Sequence, residues 1–191
     1  MEPIVVLARK VISGEPGALD SFIELFRSKV YQYSYLNCGR KEDAEEVAQE
    51  TLVKICEHLH ELREPEHVKA WVFRIARNIC LTRRRKNAFE SCPRMSLEEI
   101  PGHWEDLLPL RATLPDQAAY HHELRRLLAQ LIHHLPEHYR TVVILRDLED
   151  LSVEQTAQIL DLNPSVVKTR LHRARAMLRK GLERKHISVT S

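Results

Sequence analysis

A chain of 191 residues with 29 Lys and Arg against 27 Asp and Glu has a formal net charge of only +2, and its five glycines and few aromatics favour helices over sheet in one or two globular domains. No apolar run is long enough to span a bilayer and residues 1–11 lack the basic start and cleavage site of a signal peptide, so a cytoplasmic protein with no direct membrane insertion is expected. The four cysteines have no CxxC spacing, and neither a paired nucleophile and base nor a Gly-rich phosphate loop is present, which argues against an enzyme, a disulfide framework or a bound cofactor.

The first block, about residues 3–87, carries three helical stripes that can close a small core. They are Leu19, Phe22, Ile23, Phe26, Val30 and Tyr33; then Ala44, Val47, Ala48, Thr51, Leu52, Ile55 and Leu59; then Val68, Trp71, Val72, Ile75 and Ile79. On the second of these helices, predicted from Glu42 to Leu62, the opposite face presents Asp43, Glu46, Glu50, Lys54 and Glu57, a mainly acidic ridge suited to a basic protein partner. The third exposes Arg74, Arg77, Asn78, Thr82, Arg84 and Arg85 and ends in the basic run Arg83 to Lys86, which suits nucleic acid. Trp71, on the buried stripe, and Phe73 are expected in the core. Cys56 with His60, and His133, His134 and His138, stand close enough in sequence to be considered as metal ligands, but isolated groups of this sort are mostly structural, and no metal site is expected.

Residues 88–117 hold four prolines (Pro93, Pro101, Pro109, Pro115) and, through Asp116, six acids against Arg94 and Arg111, a composition that reads as an extended acidic linker. The third block, residues 118–191, opens on a leucine stripe, Leu124, Leu127, Leu128, Leu131 and Leu135, broken by Pro136. From Leu151 it becomes a helix-turn-helix. Ser152 with Gln155 makes a capping-box pattern, Asp161 to Asn163 interrupt the helix, and Asn163 can cap the next one with Pro164 at its first position. Val153, Ala157 and Leu160 form the buried stripe of the first helix; Val167, Leu171, Ala174 and Leu178 form that of the second. The second helix keeps Lys168, Thr169, His172, Arg173, Arg175, Arg179 and Lys180 outward. From Ser165 to Lys185 there are eight Lys or Arg and one acid, an excess too one-sided for a merely soluble face and placed where a helix-turn-helix meets a DNA major groove.

Taken together, DAEEVAQETLVKI, AWVFRIARN with its basic end, LPEHYRTVVILRDLEDLSVEQTAQIL and VKTRLHRARAMLRKGL resemble, in that order, a bacterial extracytoplasmic-function sigma factor, and the resemblance covers nearly the whole chain. It implies an all-α protein of two small helical domains joined by the flexible linker, the first (1–87, region 2) docking on core RNA polymerase and opening the minus-10 element, the second (118–191, region 4) reading the minus-35 element. Carried over residue by residue, it makes Asp43, Glu46, Val47, Gln49, Glu50 and Lys54 the docking set for the β′ coiled coil, with the β flap as a further polymerase partner. Arg74, Arg77, Asn78, Thr82, Arg83, Arg84, Arg85 and Lys86 become the minus-10 set. Asn78 reads a base swung out of the non-template strand, and the loop from Glu61 to His67 helps form the pocket. Ser165, Lys168, Thr169, His172, Arg173, Arg175, Arg179 and Lys180 become the minus-35 set, with Ser165 and Val166 departing from the Gly-Thr usual in the family. The resemblance also implies an anti-sigma factor. Residue patterns alone leave open a stand-alone helix-turn-helix regulator whose first block dimerises or senses a ligand; the second nucleic-acid helix with its docking neighbour discriminates between the two.

Overall fold

The computed structural model describes residues 3–87 and 118–184; the acidic segment 88–117 and the side chain of Lys86 lie outside the described residues. All the described regular elements are helical, and the chain divides into two compact units, Met1–Arg94 and Met95–Ser191.

The first unit contains α1 (Pro3–Ile12), α2 (Ala18–Cys38), α3 (Lys41–His58) and α4 (Val68–Asn87). The three expected stripes do close a core: Phe22, Phe26, Val30 and Tyr33 of α2 meet Ala44, Val47 and Ile55 of α3 and Val68, Val72, Phe73 and Ala76 of α4, all but fully buried. α1 is a fourth contributor that the stripes do not announce, and its Ile4, Val5 and Ala8 are buried. Leu19 departs from the stripe and stands 40% exposed, because the burial face of α2 begins at Ala18 and Phe22. Gly39 ends α2 at φ 80°, donating its N–H to the Tyr35 carbonyl, a left-handed cap that costs glycine nothing and turns the chain directly into α3. α3 stops at His58, short of the expected Leu62: a tight turn, Leu59–Glu61, takes over and Leu62 donates to the Leu59 carbonyl. A second such turn, Pro65–His67, leads into α4.

The second unit contains α5 (Ala118–His134), α6 (Glu137–Val143), which widens into a π-type turn over Ile144–Leu148, α7 (Val153–Leu160) and α8 (Pro164–Arg184). The leucine stripe of α5 is only half-buried apart from Leu135; Ala129 and Ile132 are the deeper residues of that helix. Gly181 of α8 faces α5 closely: a Cβ there would stand 2.6 Å from a Leu131 methyl carbon, so Leu131 would have to shift. The capping box of α7 forms as expected, with the Ser152 hydroxyl accepting from the Gln155 N–H at 3.0 Å and the Gln155 side chain accepting from the Ser152 N–H at 2.8 Å. Such caps stabilise a helix by about 1 kcal/mol each. Asp161 closes α7 at φ 55°, a left-handed position Asp tolerates, and Asn163 begins α8 by accepting from both the N–H and the hydroxyl of Ser165. Val167, Leu171 and Ala174 seat α8 against the rest of the unit, with Leu182 rather than the half-buried Leu178 completing the face.

Candidate nucleic-acid interface

Two helices carry the basic surface, and their burial patterns decide which side chains face outward. On α8, Ser165, Lys168, Thr169, His172, Arg173, Arg175, Arg179 and Lys180 are all exposed, because the apolar spacing of four, three and eight residues from Val167 to Leu182 leaves them on the far side. Arg175 is already engaged, however. Its Nε donates to Asp147 Oδ2 at 3.0 Å and a terminal nitrogen to Asp147 Oδ1, a bidentate pair that raises its pKa further and fixes the side chain to the π-type turn. Arg175 thus pairs with the π-type turn while its side chain stays 57% exposed. Around the start of the helix, Ser165, Val166, Thr169, Arg170 and Arg173 share a cavity of about 330 Å³ with His138 and Tyr139 of α6.

On α4, Arg74, Asn78, Thr82 and Arg85 are exposed. Arg83 and Arg84 are half-buried and each bonds to a neighbouring helix. Arg83 is hydrogen-bonded to Glu46 and lies 3.9 Å from Glu50, so it ties α4 to the acidic ridge of α3, and Arg84 donates to the backbone carbonyl of Asn37 at the end of α2. Both are drawn to the negative groups of neighbouring helices, a carboxylate pair and the carbonyl end of α2, which sequence spacing along α4 alone does not reveal.

The acidic ridge of α3 is largely exposed: Glu46, Gln49, Glu50 and Glu57 are open, with Asp43 and Lys54 half-buried. Val47 is fully buried against α2 and α4, so it belongs to the core and not to the ridge. Its carbonyl accepts the Thr51 hydroxyl at 2.6 Å, which satisfies a polar group that the stripe carries into the interior.

Between α3 and α4 lies a cavity of about 630 Å³. Trp71, Ile75, Asn78, Ile79, Thr82 and Arg83 form one wall, at steps of four, three, one, three and one along α4; Glu50, Lys54, His58 and Glu61 form the other. Two sets read separately from the sequence, the ridge and the basic helix, thus meet in one hollow. Trp71 is half-buried there and not in the core; of the two aromatics, Phe73 is the one buried as expected. The Thr82 hydroxyl donates to the Asn78 backbone carbonyl at 2.9 Å, and both residues line the cavity. At its mouth His58 Nδ1 is 2.8 Å from Glu61 Oε1, and this contact holds the Glu61 carboxyl below its usual pKa. Of the loop expected to line a pocket, Glu61 does so, while Arg63, Pro65 and His67 do not. The 3.6-residue repeat of Trp71, Ile75, Asn78 and Thr82 would have shown the wall; that α3 supplies the facing one is a tertiary fact.

The sequence matches the family model for sigma-70 region 2 over residues 22–90 and that for sigma-70 region 4 over residues 125–178. It is 30% identical to the ECF RNA polymerase sigma factor SigW of Bacillus subtilis, across 91% of this chain and 94% of that one. The chain belongs to the ECF RNA polymerase sigma factors. It is also 30% identical to SigE of Mycolicibacterium smegmatis, over 94% of this sigma factor and 68% of the relative. Two solved structures share its fold: CnrH in complex with the cytosolic domain of CnrY, at a TM-score of 0.59, 21% identity and 95% and 98% coverage, and the sigma factor RpoE of Bartonella quintana in complex with the anti-sigma factor NepR, at 0.64, 20% identity and 86% and 96% coverage. A sigma factor is not an enzyme, and family membership displaces the stand-alone regulator as an account of the first block. Among the described residues no helix is long and apolar enough to cross a membrane.

Proposed function

We propose that this sigma factor docks on core RNA polymerase through the exposed face of α3, captures a base of the minus-10 element in the cavity between α3 and α4, and reads the minus-35 element with the first half of α8. The observation that carries the reading is the cavity itself. It combines an apolar floor of Ile75 and Ile79, an indole available for stacking in Trp71 and an amide with both donor and acceptor in Asn78, the combination that a base removed from its stack requires. Asp43, Glu46, Gln49 and Glu50 remain as the docking set, with Lys54 at the boundary between docking face and cavity. Arg74, Asn78, Thr82 and Arg85 are the outward minus-10 set, Arg83 stands in the cavity wall and ties α4 to α3, Arg84 ties α4 to the end of α2, and Arg77 is half-buried on the same helix. On α8, Val166 adds an exposed apolar contact of the kind that meets a thymine methyl, where the family commonly has Thr. Partners are core polymerase through its β′ coiled coil and β flap, promoter DNA, and an anti-sigma factor, a reading supported by a fold relative solved in complex with an anti-sigma factor.

Substituting Asn78→Ala tests this. The variant retains polymerase binding and recruitment to the minus-35 element but loses open-complex formation, most strongly on the preferred minus-10 base, by about 1 to 3 kcal/mol for one bidentate contact. Permanganate footprinting of promoters carrying each base at that position is the measurement, and an equal loss on all four bases would leave Asn78 as a mere support of the helix.

A further inference from the structure

Two cysteines 42 positions apart in sequence meet inside the first unit. Cys38, the last residue of α2, and Cys80, in the middle of α4, have their Sγ atoms 3.5 Å apart. Cys80 is buried at 5% exposure, whereas Cys38 is part-exposed and has cations beside it: Arg84, which donates to the carbonyl of the preceding residue, and Arg83. The Cys80 hydrogen bond, followed by these guanidinium charges, lowers the Cys38 pKa against the opposing effects of burial and Asp43. The arrangement has the parts of a thiol redox pair: an accessible thiol favoured as thiolate and a sheltered second thiol in contact to resolve it.

We propose that Cys38 and Cys80 form a reversible disulfide when the protein meets a peroxide, joining the end of α2 to the base-reading helix α4. The Cys38 thiolate attacks one oxygen of hydrogen peroxide, the O–O bond breaks, and hydroxide leaves as Cys38 becomes a sulfenic acid. The Cys80 thiol then attacks the Cys38 sulfur as its proton passes to the departing oxygen, which leaves as water. In total two thiols are oxidised by two electrons, one peroxide is reduced to two waters and one S–S bond forms. Closing from 3.5 Å to the about 2.05 Å of a disulfide draws the two sulfurs together by about 1.5 Å, a movement shared between two short side chains and their helices. Cys80 is two residues beyond Asn78, and a displacement of about 1 Å at a well-positioned site can cost on the order of a hundredfold in rate. Oxidation therefore suppresses promoter opening. That consequence rests on the minus-10 reading of α4; the bond does not.

The full chain carrying Cys56→Ser and Cys92→Ser isolates the pair. Treated with peroxide, it becomes lighter by two hydrogens in intact-mass measurement, tryptic mapping links the Cys38 and Cys80 peptides, and dithiothreitol restores the starting mass. Adding Cys80→Ser leaves a sulfenic acid at Cys38 that dimedone traps, and adding Cys38→Ser leaves no link. With core polymerase, the oxidised chain loses at least tenfold in open-complex formation and recovers it with dithiothreitol, while the Cys80→Ser chain stays active under the same peroxide. Peroxide treatment without dimedone that leaves Cys38 as a sulfenic acid and no loss of two hydrogens while Cys80 is present, or loss of mass without a Cys38–Cys80 link, overturns the disulfide. A linked chain that opens promoters as well as the reduced one overturns the regulation and leaves the minus-10 reading to the Asn78 experiment.

Discussion

Reversing the charge of Glu46 and Glu50 to Lys abolishes co-purification of the chain with core RNA polymerase while leaving its helicity unchanged. Both carboxylates are exposed on α3, and a basic docking partner meets each reversed residue as a like-charge contact, which costs several kcal/mol across an interface. The same two residues also hold Arg83, so reversal sets Lys against Arg within the unit. Glu46 is 58% exposed and Arg83 30%, so the pair is partly solvated and its loss costs the fold on the order of 1 kcal/mol. Arg83→Ala separates the two effects. It breaks the internal pair, leaves the carboxylates in place and keeps co-purification; if Arg83→Ala releases polymerase as completely as the double reversal does, the ridge acts through the fold and not as a docking face.

On α8 the two halves of the exposed face fail differently. Lys168, Thr169, His172 and Arg173 occupy the first turns, where a helix-turn-helix reaches base edges, whereas Arg179, Lys180 and Arg184 lie a turn or more beyond and are expected to meet only phosphate. Lys168→Ala or Arg173→Ala changes which minus-35 sequences are used, at about 1 to 3 kcal/mol per position, while Arg179→Ala with Lys180→Ala weakens all sequences alike and flattens the salt dependence by about one unit of slope per lost contact. Selection from a randomised minus-35 library, repeated at several salt concentrations, distinguishes them. If Arg179 and Lys180 alter sequence choice and Lys168 does not, α8 is docked in the opposite sense.

Most of the helical skeleton is legible in the sequence, because apolar spacing reports the face each helix buries and the caps at Ser152 and Asn163 are local chemistry. Three kinds of feature are not. Side chains at the edge of a stripe, such as Leu19, Trp71 and Leu178, are assigned by the shape of the neighbouring helix, which periodicity does not contain. Arginines are equally ambiguous: Arg83, Arg84 and Arg175 look like DNA contacts on a helical wheel, yet each is claimed by an oxygen from another helix or turn. Contacts distant in sequence, the α3 wall of the Asn78 cavity and the Cys38 and Cys80 pair, appear only when α2, α3 and α4 are packed together. At the cavity, Trp71 and His58 stand beside Asn78 although the sequence does not mark them as site residues, and Glu61 lines it as expected of its loop.

Run-off transcription with core polymerase freed of its own sigma factors measures promoter-specific initiation by this chain directly. On genomic promoter fragments, core enzyme with this chain starts transcripts at defined positions that core enzyme alone does not use, and the double Glu46→Lys, Glu50→Lys variant starts none. Initiation no different from that of core enzyme alone, together with tight sequence-specific DNA binding by the chain without polymerase, would contradict the account.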